Sequence, residues 1–158
     1  MGFQLNIEKA DGTDDRTCWH LFSNGGMATI RTVMRDFGML TDPPVPDHVL
    51  LSTFGLTRDD FTGPDQVLPG KEANLAAIQA AYAARMSATE AEIRGIPHYK
   101  VAGNDGWVIA PAEVAAALAA YDAAPADRRA DIEATYRDWA PWLAFLRRSV
   151  DHTGIRVY

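Results

Sequence analysis

Two hydrophobic periods alternate along this chain. At the start Phe3, Leu5 and Ile7 alternate with Gln4, Asn6 and Glu8, the two-residue repeat of a strand with one buried face. A polar turn begins at Asp11-Gly12, and the aromatic and β-branched run from Thr17 to Phe22 predicts a second strand, closing a hairpin. Ser23-Asn24-Gly25-Gly26 ends that strand. Met27, Ile30, Met34 and Phe37 then recur at spacings of three and four, which places them on one face of a helix. Ser23 or Asn24 suits its N-cap, and Gly38 suits the left-handed position beyond its last turn.

From Met39 the period is lost. Residues 39–70 read as an irregular connecting segment marked by Pro43, Pro44 and Pro46, and Val49-Leu50-Leu51 within it suits a short strand or a helical turn. Helical spacing returns at Leu75, Ile78, Tyr82, Met86, Thr89 and Ile93, predicting a helix from about Lys71 to Arg94, stopped by Gly95 and Pro97. Ser87 and Glu90 have capping-box spacing, so a break near Met86 is compatible with the pattern. His98–Ala102, a Gly103-Asn104-Asp105-Gly106 turn and Trp107–Ile109 predict a second hairpin. Pro111 opens a third helix, with Glu113 near its positive end.

Near the C-terminus Ile132, Tyr136, Trp139, Leu143, Leu146 and Val150 form a stripe at helical spacing. Pro141 lies inside it, and because the stripe keeps its phase, a bend at Pro141 rather than an end is expected. Ile155 and Val157 face one way on a closing strand. The whole reads as an α+β fold over residues 1–158, one domain with an antiparallel or mixed sheet of about five short strands and about four helices.

Composition narrows the classes of function. Of 158 residues 47 % are hydrophobic and 23 % charged, ordinary values for a folded domain, and the net charge is −6. That balance argues against general nucleic-acid binding, which needs a basic face. No signal peptide, membrane span or myristoylation motif is visible, and the expectation is a cytoplasmic protein with no membrane association. With one cysteine there is no intramolecular disulfide and no multi-cysteine metal site.

Candidate chemistry is sparse. Neither a phosphate-binding loop nor a dinucleotide fingerprint occurs, and no H-E-x-x-H or G-x-S-x-G run is present. No cofactor and no metal are expected. Asn24, Gly25 and Gly26, with Arg31 nearby, could hold an anion at a helix N-terminus, although a cap and a tight turn explain the same residues. Cys18 and His20 point to one face of a strand, and with His98 they are the candidate members of an enzyme site assembled from distant residues. A buried structural cysteine beside a hydrogen-bonded histidine is the favoured explanation of that pair. Asp14-Asp15 and Asp59-Asp60 read as exposed turn charges. Trp142 falls at the margin of the apolar stripe, and Arg147 and Arg148 follow, a combination favoured at contact surfaces. The favoured explanation is a tryptophan covering the edge of the core, with the arginines as solvated charges.

The run Asn104-Asp105-Gly106-Trp107-Val108-Ile109-Ala110-Pro111-Ala112-Glu113, with Trp139, Trp142 and the closing Gly154-Ile155-Arg156-Val157-Tyr158, resembles small uncharacterised proteins of high-GC actinobacteria and their phages. Twelve arginines against three lysines agree with a high-GC genome. The resemblance implies no activity and transfers no site residue. The expectation is a non-enzymatic binding or regulatory protein acting through a protein partner or as a homo-oligomer. The alternative is a small enzyme.

Overall fold

A computed structural model describes residues 2–9 and 14–158. The turn expected at Asp11-Gly12 lies outside the described residues, as do the Asp14 and Asp15 side chains. In chain order the elements are β1 (Gly2–Glu8), β2 (Asp14–Ser23), α1 (Asn24–Asp36), β3 (Leu40–Thr41), two 3-10 turns (Leu51–Phe54 and Arg58–Asp60), β4 (Phe61–Gly63), β5 (Gln66–Val67), α2 (Glu72–Met86), β6 (Ile96–Pro97), α3 (His98–Ala102), β7 (Val108–Ile109), α4 (Pro111–Asp122), α5 (Ala126–Thr135), α6 (Trp139–Ser149) and β8 (Gly154–Val157). The α+β class is as expected, with more and shorter strands. Two units are present: Met1–Pro44 with Thr89–Tyr158, and Val45–Ala88.

The first unit is built on an antiparallel sheet of order β2-β1-β8-β7. Leu5 lies opposite Val157 and His20, and Ile7 opposite Ile155. This register puts Phe3, Leu5, Ile7, Phe22, Ile109, Ile155 and Val157 on one face, where they meet Met27, Ile30 and Met34 of α1, Ala117 of α4 and Leu146 of α6 in a single core. Helices therefore cover one face of the sheet. Asn6 and Glu8 point to the other face yet are buried, a departure from the polar-out alternation. β1 is an inner strand with neighbours on both sides, and Arg156 of β8 donates from Nε to the Glu8 carboxylate at 2.6 Å.

Local signals explain several boundaries. Ser23 is the N-cap of α1, its Oγ accepting from the Gly26 N–H at 3.0 Å, and Gly38 takes φ +69° after the helix. Pro111 opens α4, and the Glu113 carboxylate accepts the Ala110 N–H at 2.8 Å.

Three expectations need correction. His98–Ala102 is a short helix, and the Gly103–Gly106 turn closes no hairpin, because Val108 and Ile109 pair with Arg156 and Ile155 of the distant β8. The helix expected to reach Arg94 ends at Met86, at the break that the Ser87 and Glu90 spacing allows, and the chain returns to lay Ile96 beside Leu40 in the parallel pair β3–β6. The C-terminal stripe is divided between α5 and α6, broken at Tyr136–Asp138. Pro141 is the third residue of α6, where its missing N–H would have had no partner within the helix. It does not bend one continuous helix. Trp139 and Leu143 do share the core, as the phase of the stripe requires.

The second unit contains much of the segment read as irregular. It comprises the two 3-10 turns, the β4–β5 hairpin and α2. Leu56 and Ile78 are its buried hydrophobic side chains, and polar ties supplement them: Asn74 Nδ2 donates to the Phe54 carbonyl at 2.6 Å and Lys71 Nζ to the Gly55 carbonyl at 2.9 Å. Val45, Leu50, Leu68 and Tyr82 stay exposed. Among the described residues no helix is long and apolar enough to cross a membrane.

Candidate functional site

The structure disperses the residues singled out from sequence. Trp142 is fully buried inside the core, not at its margin where the stripe placed it. The inward face of α6 is wider than the stripe suggested and includes Trp142, Phe145 and Ser149 beside Trp139, Leu143 and Leu146. Trp142 lies 5.5 Å from the Phe22 ring and 5.7 Å from both His20 and Phe145. Arg147 and Arg148 are exposed. The Arg147 guanidinium pairs with Asp122 at 3.1 Å, and that of Arg148 sits 5.8 Å from the Phe145 ring centre. No joint Trp142–arginine surface exists.

His20 and Cys18 do point to the helix-covered face of β2. Cys18 is half-buried against the core. The His20 ring is 4.4 Å from Phe22, and burial holds its pKa below the ordinary value, with Asp138 opposing and Arg148 adding to the shift. His98 has other neighbours: its Nδ1 is 3.8 Å from Asp42. Burial and Arg35 lower its pKa, and Asp42 opposes them. The charged neighbours of the two imidazoles differ: Asp138 and Arg148 act on His20, and Arg35, Asp42 and Arg31 on His98.

The anion candidates also separate. Asn24 and Arg31, with Phe3, Ala102, Gly103 and Asn104, line a groove of about 310 Å³. Gly26 lines a different hollow of about 190 Å³ with Tyr136, Arg137 and Asp138. Gly25 lines neither. Arg31 spends Nη1 on the Val101 and Ala102 carbonyls, at 2.9 and 3.2 Å. Among the described residues no group of three or more His, Cys, Asp or Glu side chains is gathered as for a metal.

Two features escaped the sequence reading. The first is an ion pair inside the first unit: Lys100 Nζ lies 2.9 Å from both carboxylate oxygens of Glu113, and both side chains are buried. Burial pulls the Lys100 pKa down and pushes that of Glu113 up, while their mutual hydrogen bonds oppose both shifts. An amphipathic pattern cannot foretell it, because α3 is short and Glu113 already has a local role at the start of α4.

The second is an apolar row on the uncovered face of the sheet. Trp19 is 50 % exposed, Leu21 55 % and Tyr158 42 %. Leu21 lies opposite Gln4, and Gln4 exchanges both backbone hydrogen bonds with Tyr158 at 2.8 and 2.7 Å. Leu21, Gln4 and Tyr158 thus form one cross-strand row, and Trp19, Asn6, Arg156 and Val108 form the next. Because Gln4 turns its N–H and C=O toward β8, its neighbours Phe3 and Leu5 turn theirs toward Phe22 and His20 of β2. The intervening Leu21, and Trp19 beyond His20, therefore aim their N–H and C=O groups away from β1. β2 is an outer strand, and no described strand pairs with that side. A sequence signal existed in the alternation Cys18-Trp19-His20-Leu21-Phe22, apolar on both faces, which a strand with one solvated face does not need.

Comparison with protein-family models, curated proteins and solved structures finds no match to this chain.

Proposed function

We propose that this chain is a non-catalytic protein-binding module whose contact surface is β2, through its uncovered face and its free edge. One observation carries the reading. Trp19 and Leu21 combine half-exposed apolar side chains with outward-pointing backbone groups on an outer strand. An exposed edge is a template for another strand, and native proteins usually blunt it with charge, proline or a covering loop. The charged residues of β2, Asp14, Asp15 and Arg16, stand at its start, and from Cys18 to Ser23 the edge has no Asp, Glu, Lys, Arg or Pro. Strand addition supplies main-chain hydrogen bonds for affinity, while alternate side chains supply selectivity. A buried tryptophan at the centre of a contact is the residue type that most often dominates its energy.

A photo-reactive phenylalanine analogue placed at position 21 of the full chain tests this in the cells that make the protein. Crosslinks should form from position 21 and not from position 147, which is equally exposed on α6. Crosslinks from 147 alone, or from neither position, would refute the assignment.

A further inference from the structure

We infer that the strand added to β2 is β2 of a second copy of this chain, paired antiparallel about a twofold axis through His20. The inference rests on the reading of β2 as the contact surface and names its partner. With the axis at His20, Trp19 of one copy lies opposite Leu21 of the other, and the reverse. Both residues aim their N–H and C=O groups outward, so this register makes each such pair exchange two backbone hydrogen bonds. The two half-exposed Trp19 side chains then cover the two half-exposed Leu21 side chains on the open face, the aromatic–aliphatic pairing that stabilises neighbouring strands. A twofold axis normal to the sheet uses one patch on both copies and closes the assembly at two, leaving no growing edge at β2.

The axis also places α6, which packs on β2 through Trp142 and Phe145 against His20. A twofold normal to the sheet sets α6 and its copy on the same side of the joined sheet. Asp138 before its first residue lies 3.7 Å from Arg137, and Arg147 in its last turn 3.1 Å from Asp122, so both ends carry both signs of charge and no block of like charge opposes the pairing. Ala140, Pro141 and Ala144 keep the outer face of α6 small. The joined assembly is an eight-stranded sheet with one α6 from each copy on the same face.

Sedimentation equilibrium of the full chain at increasing concentration, alongside Leu21→Lys, tests the pairing. The wild type should pass from monomer to dimer, and Leu21→Lys should weaken that dimer at least tenfold while leaving the unfolding midpoint of the dilute monomer in place. The register has its own test on a Cys18→Ser background. Mild oxidation of an equimolar mixture of Trp19→Cys and Leu21→Cys chains should give a disulfide dimer of one chain of each kind, because facing positions in such a pair are about 5.5 Å apart. Either chain alone should give little. A wild type that stays monomeric to about 1 mM, or a dimer that Leu21→Lys does not weaken, would overturn the second-copy pairing. So would a mixture that crosslinks no better than its separate chains. A monomer that still crosslinks a different protein from position 21 would overturn this inference and leave the contact reading standing; a monomer with no such crosslink would overturn both.

Discussion

Lys100 and Glu113 show how one pair of charges ties a fold together. Both are buried, and removing one partner leaves the other charged without compensation. Lys100→Met is therefore expected to lower unfolding free energy by about 3–5 kcal/mol, measured by denaturant titration; a loss under about 1 kcal/mol would mean that the pair is dispensable. Trp142 belongs to the same scale. Its ring is enclosed by Phe22, His20 and Phe145, so Trp142→Ala should cost about 3–5 kcal/mol and act through folding, whereas Trp19→Ala, on an exposed residue, should cost far less. His20 adds a dependence on pH. Its folded pKa is lowered by burial, so below the ordinary imidazole value of about 6.5 the unfolded chain binds more protons than the native one. Stability should fall as pH drops from 7 to 5.5, and His20→Gln should flatten that slope. His98 is lowered in the same direction, so some slope should persist. An unchanged slope in His20→Gln would contradict the assignment.

At the scale of elements, what was legible followed from local rules. β1, α1 with its Ser23 cap and Gly38 stop, α4 behind Pro111 and the closing β8 are written in spacings and end signals a few residues apart. What was illegible depended on distant partners. Val108-Ile109 forms a strand because β8 returns beside it, and His98–Ala102, which has no strand partner, coils into a helical turn. Trp142 lies deeper than its spacing suggests because the inward face of α6 is wider than a single line of apolar residues. The run from Cys18 to Phe22 marks Trp19 and Leu21 as apolar residues on a second face, and only the side of the sheet that the helices cover decides that they are exposed. Pro141 supplies a direct check. In the first turn of α6 its ring replaces no helical hydrogen bond, so Pro141→Ala should change stability by less than about 0.5 kcal/mol in denaturant unfolding. A gain above about 2 kcal/mol would show that the proline strains a continuous helix.

Across the whole molecule the two units should differ in how readily they open. The first holds a continuous core on one sheet face. Val45–Ala88 buries Leu56 and Ile78 and relies on side-chain bonds to backbone carbonyls, so its amides should exchange with solvent at lower opening free energy than those of β1 or α4. The most direct measurement for the account as a whole is amide hydrogen exchange, read residue by residue along β2. His20 and Phe22 face β1 and should be protected at every protein concentration. Trp19 and Leu21 face outward, and their amides should exchange fast in dilute protein and become protected as concentration rises and β2 gains a neighbouring strand. Outward amides that stay equally fast at all concentrations, in isolated protein and in cell extract alike, would contradict the account.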